Sequence, residues 1–259
     1  MSTFKHETAI ISAGAEIGEN CHVGPFCTVG PEVRLGAGVR LESHVVIGGK
    51  TSVGDGTQVF PFASIGLAPQ DLKYGGEPTA TEIGRRNHIR EFVTIHRGTE
   101  GGGGLTRIGD DNLLMAQAHV AHDCQIGSNV IMANAATLAG HVDIADRANI
   151  GAYSGVHQFC RVGLEAFVGG YSVVVKDAPP FAIIQGNHAK CYGLNKVGLK
   201  RKGYPKETIE KLHHAYHLLL TAKLNTTQAI ERIKEEITDC EEVDILVDFI
   251  ETSKRGIVK

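Results

Sequence analysis

Aliphatic side chains recur every six residues along most of this chain. Ile11, Ile17, Val23, Val29, Leu35, Leu41, Ile47, Val53, Val59 and Ile65 form one unbroken series. After a gap of 18 residues Ile83, Ile89 and Ile95 continue in phase, and the phase then slips by one residue. A third series runs Ile108, Leu114, Val120, Ile126, Met132, Leu138, Ile144, Ile150, Val156, Val162, Val168 and Val174. The residue two before the aliphatic position is usually small or β-branched, as at Ala15, Cys21, Cys27, Val33, Thr51, Ala118, Cys124, Ala136, Cys160 and Ala166. Strand side chains alternate between faces, so both members of each such pair point the same way, inward. Glycine often follows the aliphatic position and is expected to ease the corner between short strands. The pattern predicts a mainly β protein, a parallel β-helix of hexapeptide repeats whose inward rows stack coil on coil. Periodicity does not carry its handedness.

Two stretches break the rhythm, 70–82 (QDLKYGGEPTATE) and 98–106 (GTEGGGGLT). A solenoid can extrude a loop only outward, and such loops often build a binding face. Past about residue 185 the hexads stop and the period becomes helical. Ile209, Leu212, Tyr216, Leu219 and Leu220 share one face, with Pro205 suited to a first turn. Asn225 or Thr226 can cap a second helix bearing Ile230, Ile233 and Ile237, and Val243, Leu246, Phe249 and Ile250 suggest a third. The expected organisation is a β-helical domain over 1–185 and a small C-terminal α-helical domain over 186–259 that closes the open end.

Composition narrows the function classes. Across 259 residues the formal net charge is −3, which argues against nucleic-acid binding and against a polybasic membrane contact. The start MSTFKHETAI has no apolar core of a signal peptide, and no apolar run approaches the length of a membrane span. A cytoplasmic protein with no membrane insertion is expected. Cys21, Cys27, Cys124 and Cys160 fill the small inward slot, so they read as compact apolar fillers rather than a disulfide framework. Thirty-two glycines and no tryptophan agree with a repeated turn.

The register also sorts the polar residues by direction. His119 precedes Val120, His122 lies two after it, His141 three after Leu138, and His157 follows Val156, so all four point outward. With about three hexads per coil, His122 and His141 fall on neighbouring coils near one edge. Solvated surface histidines, a zinc site and a general base all fit such a group. Asp123 stands next to His122, where a carboxylate could fix the ring's tautomer. Spacing alone leaves metal and base unresolved.

The motifs QDLKYGGEPT, IREFVTIHRGT, AHVAHDC, LAGHV, VHQFC, QGNHA and GLKRKG, in that order, closely resemble the bacterial UDP-N-acetylglucosamine O-acyltransferase family of lipid A biosynthesis, from about residue 8 to the C-terminus. The resemblance implies a left-handed coil and a homotrimer with active sites between neighbours. It implies transfer of a 3-hydroxyacyl chain from acyl carrier protein to the glucosamine 3-hydroxyl of UDP-N-acetylglucosamine, without metal or other cofactor. By the same match His122 is the general base, Asp123 supports it, and the Gly140 N–H meets the developing oxyanion. Asp71, Lys73, His119, His141, His157 and Gln158 match substrate-lining positions. Asn195, Arg201 and Lys202 match the region that meets the nucleotide and phosphate groups. Val197 stands where family members carry a glutamate near the uridine, and Lys202 where arginine is common. Gly170 matches the position that limits acyl-chain length, and glycine there implies longer chains.

Two enzyme alternatives compete. A related N-acyltransferase acts on UDP-glucosamine, but it usually has an extra N-terminal domain, whereas hexads here begin by residue 11. A zinc carbonic anhydrase of the same repeat would need three histidines, with His119, His122 and His141 the available set. That reading, like a non-enzymatic scaffold, leaves the QDLKYGGEP loop without a use.

Overall fold

The paired inward residues organise the fold. The structure is a computed structural model describing residues 2–259. Short strands, mostly of two residues, alternate with tight corners and stack into three sheets of 11, 9 and 8 strands, the three sides of one coil, parallel throughout except for the last strand of the first. The first side begins at Phe4–Lys5, the second at Ile10–Ile11 and the third at Glu16–Ile17. Both inward slots are buried, as with Cys21 and Val23, Cys124 and Ile126, and Ala136 and Leu138. Together they form one continuous axial core.

Strand pairing accounts for the two breaks. In an undisturbed coil the partners are 18 residues apart, as for Val29 and Ile47. Ile83 pairs with Val53, 30 residues back, and Ile108 with Ile83, 25 back. The first insertion therefore adds two whole hexads and keeps the phase, while the second adds seven residues and shifts it by one. Both leave the coil at the same corner, between the second and third sides. The ends of the stretches expected to be loops are strands instead: Ala80–Ile83 and Leu105–Ile108 pair with each other over four residues. Thr81 and Thr106 fill their small inward slots.

Glycine plays a different part from the one expected. The corner residues with left-handed backbone are mostly not glycine; they include Phe26, His44, Phe62, Phe92, Asp123, His141, Tyr153 and Tyr171. The glycine after the aliphatic residue serves close stacking instead. A Cβ on Gly54 would lie 2.6 Å from the Gly84 carbonyl carbon, and one on Gly84 2.6 Å from the Gly109 oxygen. Side chains in that column would force the coils apart.

The last coil passes into a hairpin, Ala182–Gln185 against Lys190–Leu194, the one antiparallel pairing among the described residues. This strand lies beyond residue 185, where helical structure was expected to begin. Four helices follow: α1 Lys196–Arg201, α2 Lys206–Leu220, α3 Thr226–Glu236 and α4 Glu241–Glu251. The short α1 has too few residues to show a hydrophobic period, so only the other three were legible. Pro205 is the N-cap of α2 rather than a first-turn residue, and Asn225 caps α3 with a reciprocal bond to Gln228. The helices seal the coil: Tyr216 donates its hydroxyl to the Pro180 carbonyl, and Arg161 donates to the Phe249 carbonyl of α4 at 2.7 Å.

Candidate active site

One corner of the coil, where the second side turns into the third, gathers most of the outward chemistry. Reading down it, successive coils contribute the two extruded loops, then His122–Asp123, then Gly140–His141, then Gln158–Phe159. His122 and His141 therefore lie on one edge of the prism, as the register predicts, while His119 sits on the adjoining strand. Asp123 and His141 occupy the left-handed corner positions, with φ of 61° each, a conformation that Asp and His tolerate better than most residues.

His122 Nδ1 lies 2.7 Å from Asp123 Oδ2. An ionised carboxylate only accepts, so Nδ1 donates this bond, and in a neutral ring Nε2 is the nitrogen that holds the lone pair. The Asp123 side chain is wholly enclosed, whereas His122 keeps 15% of its side-chain surface. The imidazole packs on Gly140: a Cβ there would fall 2.5 Å from Cε1 and 2.7 Å from Nε2. His141 meets His122 edge to face, with ring centroids 5.0 Å apart, and stacks on Phe159 at 4.4 Å. Burial lowers the His141 pKa; Asp123 and Asp71 pull it back up, and His122 adds to the lowering.

Behind this pair lies a second histidine layer. His119 Nδ1 sits 2.6 Å from the Thr94 hydroxyl on the neighbouring strand, and burial lowers its pKa. His96 is buried, with its ring 5.1 Å from His119 and Nδ1 unpaired. Burial first, then the charges of His119 and His122, lower its pKa to about 4. Sequence reading passed over His96, although TIHRGT belonged to a matching motif. Arg97 was missed as well. It holds the first loop down by donating to the Tyr74 hydroxyl at 2.8 Å and to the Gly66 carbonyl at 3.2 Å.

The second loop covers Asp123. Thr99 donates its backbone N–H to Oδ1 at 2.8 Å and its hydroxyl to Oδ2 at 2.6 Å. The close approach needs glycine: a Cβ on Gly102 would lie 2.1 Å from the Asp123 carboxyl carbon, and one on Gly98 2.8 Å from Oδ1.

Family models match on both parts of the chain. The bacterial transferase hexapeptide (six repeats) model covers 9–49 and 105–140, and domain 2 of UDP-N-acetylglucosamine O-acyltransferase covers 177–258. Solved structures match over the whole length. LpxA from Acinetobacter baumannii is 46% identical with a TM-score of 0.97, covering 99% of this chain and 100% of that one. LpxA of Bacteroides fragilis, a UDP-N-acetylglucosamine acyltransferase, is 40% identical at 0.96, with 98% and 99% covered. The UDP-N-acetylglucosamine acyltransferase of Arabidopsis is 33% identical at 0.88, with 99% and 100% covered. The chain belongs to the UDP-N-acetylglucosamine O-acyltransferase family. It is an acyltransferase, and its coil is the left-handed β-helix of that family.

The remaining positions matched to the family are spread more widely. Asp71 and Lys73 lie on the first loop, where the Asp71 carboxylate accepts from the Lys73 N–H at 3.0 Å and lies close enough to act on His141. His157 and Gln158 are exposed on the same edge, with His157 Nδ1 3.1 Å from the Gln158 carbonyl. Asn195 is the N-cap of α1, its side chain accepting from Gly198 N–H at 3.0 Å. Lys202 turns to the buried Glu165 carboxylate, which also pairs with Arg147 at 2.6 Å, while Arg201 is exposed. Gly170 sits at a different corner, between the first and second sides, just under three coils beyond His122. That is about 13 Å along the axis at ~4.8 Å per coil. A single copy does not bring Gly170 and His122 together.

Among the described residues His119 does not join His122 and His141 in a close group of ligand atoms, so the three-histidine zinc set is not assembled. The group whose ligand atoms lie within 4.8 Å of one another is His122, Asp123 and His141. Its central oxygen, Asp123 Oδ2, already accepts from His122 and Thr99, so this donor set fits a hydrogen-bonded base better than a metal ligand sphere. No helix among the described residues is long and apolar enough to cross a membrane.

Proposed function

We propose that this protein transfers a 3-hydroxyacyl chain from acyl carrier protein to the glucosamine 3-hydroxyl of UDP-N-acetylglucosamine, the first step of lipid A biosynthesis. The observation that carries the chemistry is the enclosed His122–Asp123 pair, with Nδ1 held by the carboxylate and Nε2 left as the base.

His122 Nε2 takes the proton of the sugar hydroxyl as its oxygen attacks the thioester carbonyl. Asp123 stabilises the imidazolium that forms. The Gly140 N–H donates to the tetrahedral oxyanion; among the described residues it makes no backbone hydrogen bond that would compete. Collapse breaks the C–S bond, and the departing thiolate takes the proton from His122. The thioester is already activated, so neither a metal nor a covalent enzyme intermediate is required. His119, His141, His157, Gln158, Asp71 and Lys73 line the cleft, and Asn195, Arg201 and Lys202 lie toward the nucleotide and phosphates. Lys202 shares its charge with Glu165, so Arg201 is the more available cation for a phosphate.

The working form in this reading is a homotrimer. Gly170, the residue that limits acyl length, lies on another corner from His122, so a cleft using both needs two copies. An exposed ladder at that corner, Phe26, His44, Phe62 and Phe92, with ring centroids about 5 Å apart, offers apolar surface to a neighbour. A cytoplasmic location belongs to the same reading, supported by six free cysteines, five of them buried.

The test is product identification. Incubation with UDP-N-acetylglucosamine and 3-hydroxyacyl carrier protein should yield the 3-O-acyl sugar nucleotide by mass spectrometry. Acylation of UDP-glucosamine on nitrogen, with none on UDP-N-acetylglucosamine, would overturn the assignment in favour of the N-acyltransferase.

A further inference from the structure

The glycine-rich loop at 98–104 has no part in the chemistry described so far, yet it is packed against the one carboxylate that orients the base. Thr99 is buried and reaches both oxygens of Asp123, N–H to Oδ1 at 2.8 Å and hydroxyl to Oδ2 at 2.6 Å. Donors on both oxygens fix the carboxylate plane, which a single donor leaves free to rotate. The third donor to that carboxylate is His122 Nδ1, also on Oδ2. Beyond these, His141 Nδ1 lies 3.8 Å from Oδ2, outside hydrogen-bond range.

The loop is closed so that Thr99 cannot drift. The Thr99 carbonyl accepts from Gly102 N–H at 3.1 Å and Gly104 N–H at 2.8 Å, and Gly98 N–H donates to Ala80 O at 3.1 Å. From below, the Thr106 hydroxyl accepts the Asp123 N–H at 2.8 Å. Gly98 and Gly102 leave no room for a side chain between loop and carboxylate. A merely tolerated insertion would not need two glycines pressed against one buried acid.

We infer that Thr99 is a positioning residue for acyl transfer: through its two bonds to Asp123 it sets the plane of the carboxylate and hence the direction in which His122 presents Nε2. The inference rests on His122–Asp123 being the catalytic pair. Thr99 is buried and acts through Asp123. The second insertion in the coil is therefore part of the catalytic apparatus.

A double-mutant cycle tests this by steady-state kinetics on the full-length chain. Thr99→Val keeps the shape and the backbone N–H but loses the hydroxyl. It should lower kcat about tenfold or more, with KM for UDP-N-acetylglucosamine changed by less than about twofold. Thr99→Ser should restore most of the loss. In an Asp123→Ala background the Val substitution should change kcat by less than about twofold, because the group it acts through is gone. An equal loss on both backgrounds would assign Thr99 to general stability and overturn the inference. So would wild-type kcat in Thr99→Val while Asp123→Ala is impaired. Wild-type kcat in Asp123→Ala would overturn the catalytic pair and this inference together. Should Thr99→Val fail to fold, Thr99→Ala takes its place in the cycle with the same expectations.

Discussion

The imidazole of His122 lies directly on the α-carbon of Gly140, one coil away, with no space for a methyl group between them. Gly140 thus has a steric duty apart from any role of its N–H. Gly140→Ala should push the ring off its position and lower kcat by about a hundredfold or more, while the melting temperature falls by only a few degrees. Kinetics and thermal melting on the same preparation check this. Near-normal kcat would mean that the ring position is not critical.

Gly170 faces open space except toward Ala152, whose carbonyl oxygen would lie 3.2 Å from an added Cβ. A small group fits there with a slight shift, and a long one must project from the corner. Gly170→Met should move the preferred 3-hydroxyacyl chain to a shorter length, read as kcat/KM across a graded series of acyl carrier proteins. An unchanged order of preference would remove Gly170 as the length limit.

His96 is held neutral, its pKa lowered to about 4 by burial and by the neighbouring histidines. An unfolded histidine titrates near 6.5, so between 6.5 and 4 the unfolded state binds more protons than the folded one. The folded state therefore loses stability as pH falls through this window, by about 2 kcal/mol at pH 5 from this residue. His119, also lowered, adds in the same direction. Replacing His96 by Gln should flatten the fall in melting temperature between pH 7 and pH 5. An unchanged slope would place the acid sensitivity elsewhere.

Asp123 Oδ2 is engaged by two donors, which leaves it poorly disposed to bind a metal. Dialysis against a strong chelator should therefore leave acyl transfer within about twofold of the untreated enzyme. Stoichiometric zinc in the purified protein, together with loss of activity on its removal, would revive the metal reading of His122, Asp123 and His141.

Much of this architecture was legible because a β-helix writes its geometry into a fixed period. The register alone placed Cys124 inward and His122 outward, and the seven-residue shift at the second loop was visible as a slip in phase before its cause was known. Loop ends were less legible, since Thr81 and Thr106 satisfy a strand slot without looking aliphatic. At the site, adjacency suggested the His122–Asp123 pair but not its enclosure. The hydrogen bonds from Thr99 and the packing of His96 against His119 link residues 23 to 24 positions apart across coils whose spacing the insertions alter. Neither separation equals the 18-residue spacing of undisturbed coils, so the period does not announce either contact. The left-handed corners were misassigned to glycine because the coil imposes that conformation on Asp123, His141 and several aromatic residues regardless of their propensity.

The central claim is that His122 removes the hydroxyl proton in the transition state. Its most direct measurement is the single-turnover rate of acyl transfer by His122→Ala at saturating sugar nucleotide. The rate should fall by about a hundredfold or more with substrate binding retained. A rate within about tenfold of wild type would contradict the assignment of His122 as the general base.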